Sequence, residues 1–223
     1  MENLLEIACF EMTSAETALR SVADRIEFCA GQSLGGITPN IDEFRYLKSH
    51  YSKPIFVMIR PKGGGFLYSD EDFLRMKNSI VEFKNAGADG FVFGVLSHGN
   101  IVDMQRNREL LALAEEKPCT FHRAIDRTPD VEKSVGKLIE LGFRNVLTSG
   151  GEDAAMKGRD VLKTLVERYS HRINILVGGG VRSGNIRELK DFTGAWNFHS
   201  SAIPSYETYA NEDEIMRLKA EIS

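Results

Sequence analysis

The stretch INILVGGGVRSGN, residues 173–185, passes from a β-branched run through three glycines into Ser183 and Gly184, which open the next helix. A strand that hands the chain to a helix through a short Gly-rich turn is a βα unit. The same unit recurs along the chain. LLEIACF from Leu4, RIEFCA from Arg25, PIFVMIR from Pro54, GFVFGVL from Gly90, PCTFHR from Pro118, RNVLTSG from Arg144 and AWNFHSS from Ala195 bring the strands to eight. Between them lie helical spacings such as Phe73, Met76, Lys77, Ile80 and Phe83, or Val131, Val135, Leu138 and Ile139, with Ser69 and Thr128 placed as N-terminal caps. NEDEIMRLKAEIS supplies the last helix, and residues 201–210 before it are the least patterned of the chain. Eight strand-then-helix units of similar length, with no linker, predict an α/β fold, a (β/α)8 TIM barrel, as a single domain over residues 1–223. Periodicity does not show closure, so an open doubly wound sheet is the alternative.

Composition narrows the function. With 42% hydrophobic residues in 223, the chain is large enough for one sizeable core, and a net charge of −4 supplies no basic footprint for nucleic acid. MENLLEIACFEMTS lacks the basic and apolar regions of a signal peptide, and no window is long and apolar enough for a bilayer, so a soluble cytoplasmic protein without a membrane partner is expected. Three scattered cysteines, Cys9, Cys29 and Cys119, suit a reducing compartment.

A barrel gathers the carboxyl ends of its strands on one face. Those ends read Glu6 and Cys9, Glu27 and Cys29, Arg60, Gly94, His122 with Arg123 and Asp126, Thr148 with Ser149, Gly178 to Gly180, and His199 with Ser200. Alternation points Glu27 and Cys29 into the barrel while Ile26 and Phe28 face the helices. A buried carboxylate needs a cation, and Arg60 or Arg123 is the expected partner. Structural ion pairs between strands would give the same pattern. Asp126, four residues after His122, could fix the imidazole of a base or ligand, with His199 as a second imidazole; a plain hydrogen-bonded histidine fits equally. Gly179, Gly180, Ser183 and Gly184 resemble the phosphate cradle of many barrels, facing Arg182, or else simply permit tight turns. By the same alternation Cys9 faces the helices, and Cys119 lies at the far end of the barrel.

ADRIEFCA, GGITP, FVMIRPKGGGFLYS, FVFGVL, TFHRAID, VLTSGG, GGGVRSGNI and FHSSA, in this order, resemble the CutC family over nearly the whole barrel. The resemblance implies a TIM barrel and a cytoplasmic, homo-oligomeric protein, a dimer by expectation, that binds Cu(I) in copper homeostasis through cysteines near the mouth. The second-strand cysteine of the motif is Cys29. Where many members read Glu-Val-Cys in the first strand, this chain has Ala8, with Cys9 one place on, so Cys9 joins a copper site only by turning inward; His199 would support it. The mouth residues themselves suggest a different protein: an enzyme acting on a small anionic or phosphorylated metabolite. Arg60 and Arg123 would then hold the anion, His122 or Glu27 would move a proton, Asp126 would assist, and the glycines would bind phosphate.

Overall fold

The computed structural model describes residues 3–205 and 207–223, leaving Met1, Glu2 and Tyr206 of the terminal and 201–210 segments outside the described residues. Eight parallel strands close a barrel: β1 (Leu4–Cys9), β2 (Arg25–Phe28), β3 (Ile55–Met58), β4 (Gly90–Phe93), β5 (Cys119–Phe121), β6 (Asn145–Thr148), β7 (Asn174–Val177) and β8 (Asn197–Ser200). The sheet runs in chain order and closes where β8 pairs with β1, which rules out the open sheet. Each strand is followed by a helix: α1 (Met12–Arg20), α2 (Ile41–His50), α3 (Asp70–Asn85), α4 (Met104–Ala114), α5 (Val131–Leu141), α6 (Arg159–Tyr169), α7 (Ile186–Thr193) and α8 (Glu212–Ile222). Between β4 and α4 a two-residue hairpin, Leu96–Ser97 against Ile101–Val102, decorates the mouth. No described helix is long and apolar enough to cross a membrane.

Alternation divides the core in two. Leu5, Ile7, Cys9, Ile26, Phe28, Ile55 and Val57 point outward into the layer shared with the helices, the larger cluster. Cys29, Phe56, Met58 and Val92 form a separate, smaller cluster inside the barrel, with Phe10 against it. Each fully buried large side chain of these layers contributes about 1.5–3 kcal/mol. The interior is filled partly because Gly90 lacks a side chain: a Cβ there would lie 2.6 Å from the Phe56 ring.

Local signals set the helix starts. Ser69 caps α3 in a reciprocal box with Asp72, as its position predicts. Thr128 does not cap α5; Asp130 does, accepting from the Lys133 amide at 2.9 Å. The Thr128 hydroxyl instead donates to the Ile125 carbonyl at 2.7 Å, closing the short 3-10 turn Arg123–Arg127 that follows β5. That turn inserts an extra element before the helix, and spacing alone does not reveal it. The segment before α8 is tied down at its end, where the Ala210 amide donates to Ser14 Oγ at 3.0 Å.

Candidate functional site

Barrel register brings three polar side chains into one row. Glu6 stands opposite His199 on β8 and opposite Arg25 on β2. Glu6 is fully buried, with Arg25 Nε donating to Oε2 at 2.5 Å and His199 Nδ1 2.8 Å from Oε1. The other face of the imidazole looks at Glu27: Nε2 is 3.5 Å from Glu27 Oε2, while the Cys29 thiol donates to Glu27 Oε1 at 3.4 Å. The Arg25 guanidinium also covers the Phe56 ring at 4.1 Å. The cation beside Glu27 is therefore His199. The expected pairing of Glu27 with Arg60 or Arg123 does not form.

The row separates the two carboxyls. Burial pushes Glu6 up, but Arg25 and His199 outweigh it and hold the carboxyl down at about 2. Glu27 is raised, by burial and then by the charge of Glu6, against the pull of His199. Burial works against the charged form of His199, yet its hydrogen bond to Glu6 and the charge of Glu27 carry it above the ordinary imidazole value. Two carboxyls pushed apart around one imidazole are the arrangement that divides acid and base roles.

Glu27, Cys29 and His199 line a cavity of about 270 Å³ at the carboxyl ends of the strands. Its walls carry three arginines. Arg60, ending β3, donates to the carbonyls of Leu34, Gly36 and Gly64, each at 2.7 Å, and lies over the Phe66 ring. Arg182 donates to the carbonyls of Val181 and Ile203 and to the hydroxyls of Ser200 and Ser201. Among the described residues neither has a carboxylate in ion-pair contact. Arg123 does: its Nε donates to Asp126 at 2.9 Å, and its Nη2 reaches Ser149 Oγ at 2.6 Å.

Asp126 does not orient His122, contrary to the expectation from their spacing. It accepts from Thr148 Oγ1 at 2.6 Å and from the amides of Ser149 and Gly151 at 3.1 and 3.0 Å, bracing the turn after β6. His122 takes a backbone partner instead, its Nδ1 accepting from the Ala124 amide at 3.3 Å. Burial, followed by the nearby charge of Arg60, drives its pKa down to about 3, so it is a poor base.

The glycine-rich turn after β7 divides. Gly179 and Gly180 line the cavity, and Gly179 adopts φ +101° with the place of its missing Cβ 3.3 Å from the Arg123 guanidinium, an approach that a side chain would block. Ser183 is not available to a phosphate. Its amide and hydroxyl both donate to the carboxylate of Glu214 on α8, at 2.8 and 2.7 Å. Gly184 lies in open space outside the cavity lining.

The thiols do not converge. Cys9 sits in the outer layer with its Sγ donating to the Ile7 carbonyl at 3.6 Å, whereas Cys29 faces the cavity. Cys119 is buried at the start of β5, beside a surface hollow of Lys117 and Arg144. Burial, then the charge of Glu27, raises the Cys29 thiol well above its ordinary value, so metal binding must expel a firmly held proton. A two-thiolate Cu(I) site does not fit this geometry. The one cluster with metal-ligand spacing among the described residues is Glu6, Glu27 and His199, whose donor atoms lie within 4.8 Å of one another. Its oxygens are hard donors, and Arg25 already occupies Glu6.

The sequence profile of the CutC family matches residues 3–204. The human copper homeostasis protein cutC homolog is 41% identical over 199 residues, covering 89% of this chain and 73% of its own. A CutC family protein of Treponema denticola is 36% identical over 208 residues, 93% of this chain and 85% of its own. A crystal structure of a CutC protein from Streptococcus agalactiae superposes with a TM-score of 0.85 at 30% identity, covering 89% of this chain and 98% of that one. Barrel, mouth motifs and relatives agree, and the chain belongs to the CutC family.

Proposed function

We propose that the barrel mouth is an enzyme's proton-transfer site for a small anionic metabolite. The observation that carries this reading is the pair of cavity arginines, Arg60 and Arg182, whose hydrogen bonds go to neutral acceptors, across from the Glu27–His199 pair. Charge balance makes the point: Glu6 is matched by Arg25, Glu27 by His199, and Asp126 by Arg123. Two positive charges are left facing the cavity, and they favour an anion. In this reading Arg60 and Arg182 hold the anionic group, Glu27 takes a proton from the substrate, and Glu6 fixes the orientation and charge of His199.

Deuterium uptake from D2O into small phosphorylated and carboxylated metabolites, followed by NMR, tests this. Glu27→Gln is expected to slow uptake by about a thousandfold, the usual contribution of a positioned base. The rate should rise with pH through a limb above the ordinary carboxylate range and fall through one above the ordinary imidazole range, both belonging to the pair rather than to either residue. Arg25 on β2, Glu6 on β1 and Cys29 on β2 are the neighbours that set those limbs. Unchanged uptake in the variant would refute the assignment of Glu27.

Copper handling is the second reading, supported by the names of the animal relatives and by Cys29 and His199 lining one cavity. These two would hold Cu(I), which supplies a soft centre for thiolate and imidazole. In an anaerobic competition titration with a Cu(I) chelator, Cys29→Ala should abolish tight binding and Cys9→Ala should leave it intact. Equal, weak binding in the parent and both variants would discard copper as a ligand. A reducing cytoplasmic location accords with three buried, unpaired thiols.

A further inference from the structure

His122 is the polar group of the cavity that no protein contact explains. It is 3% exposed, it lines the cavity, and its Nε2 has no hydrogen-bond partner among the described residues. A buried polar group left unpaired is costly, which makes a ligand the natural partner. Arg60 Nε and the Tyr68 hydroxyl also lack partners, but they lie against each other, and so point to no ligand.

Several contacts fix what the ring can offer. The Ala124 amide donates to Nδ1, so that nitrogen carries the lone pair and the proton sits on Nε2. Phe66 packs on the ring at 4.8 Å between centroids, and Gly94 comes so close that a Cβ would lie 2.8 Å from Nδ1, so the imidazole cannot swing away. With the pKa driven down to about 3, first by burial and then by Arg60, the ring stays neutral at working pH. It can donate a hydrogen bond and is a poor proton acceptor.

We infer that His122 Nε2–H is a catalytic hydrogen-bond donor to the carbonyl oxygen of the substrate, which is then a small ketone or aldehyde carrying an anionic group. This rests on the proton-transfer reading of the mouth. Glu27 removes a proton from the carbon beside the carbonyl. The electron pair of the broken C–H bond forms a C=C bond, and the carbonyl π pair moves onto the oxygen that His122 holds. Return of a proton to the same carbon, as the electron pair on oxygen re-forms the carbonyl, completes an exchange with solvent that needs no oxidant or co-reactant. A neutral donor suits the oxygen as its charge develops, while the arginines take the permanent charge.

Two probes separate these roles: hydroxyacetone phosphate, which has the carbonyl, and n-propyl phosphate, which lacks it. The parent chain is expected to bind the ketone about tenfold more tightly, by calorimetry. His122→Leu should erase that difference while keeping the n-propyl phosphate affinity, which also certifies the fold. His122→Gln, which restores an N–H, should recover part of it. In the parent, 15N spectra should place the ring proton on Nε2 and show a shift with the ketone only. A preference that survives in His122→Leu, a proton on Nδ1, or failure of both phosphates to bind at millimolar concentration would overturn the inference. Deuterium uptake beside the carbonyl reads Glu27 separately: if it is absent while ketone preference depends on His122, the proton-transfer reading falls and the donor role stands.

Discussion

Glu6→Gln is expected to lower the free energy of unfolding by about 3 kcal/mol, because it leaves the Arg25 guanidinium buried without its counter-charge. Arg25 cannot relax into water. Its side chain is only 11% exposed and is held over Phe56. Urea denaturation reads the effect directly, and a companion Arg25→Met in the Glu6→Gln background should recover most of the loss, since removing both charges leaves neither unpaired. The pH dependence has a definite sign. Glu6 is held down at about 2 in the folded chain, so its stabilisation is fully present above the ordinary carboxylate range and is lost as pH falls toward 2. The gap between parent and variant should therefore narrow in acid. A loss below about 1 kcal/mol at neutral pH would show that Arg25 does not depend on Glu6.

Asp126→Ala should cost about as much, roughly 3 kcal/mol, for a different reason. It strands the buried Ser149 amide and the Thr148 hydroxyl, and it releases Arg123 from its ion pair. Asp126→Asn, which keeps the shape but exchanges one acceptor oxygen for a donor, should lose about half of that. The same variants decide what Asp126 is for. A brace predicts lowered stability with the His122 ring resonances unmoved; a shift of those resonances without loss of stability would reinstate Asp126 as the partner of that imidazole.

The sequence carried the fold because closure demands repetition. Eight units with matching strand-to-helix turns leave few ways to bury both faces of every strand, and all eight strands stand where their β-branched runs lie. Alternation also sorted Cys9 outward and Cys29 inward. Partner choice is another matter. The row of His199, Glu6 and Arg25 depends on the stagger between neighbouring strands, a property of the closed barrel that no single strand encodes. One signal was readable: Arg25, Glu27 and Cys29 share parity in RIEFCA, which makes Arg25 an inward cation next to a strand with a glutamate. Ser183 shows the opposite limit. Its glycine-rich setting marks an anion site, yet the anion it meets belongs to α8, thirty-one residues further along the chain.

The hydrogen bond between Glu6 and His199 spans 193 positions and joins the first strand to the last. It can form only when the ring shuts, and its long sequence separation carries a high loop-closure cost. A nascent or partly opened chain holds Glu27 without the imidazole whose charge pulls against its raised pKa. Assembly of this charged row and completion of the barrel thus become one event, and any loosening of the β1–β8 seam parts the Glu6 carboxylate from its imidazole.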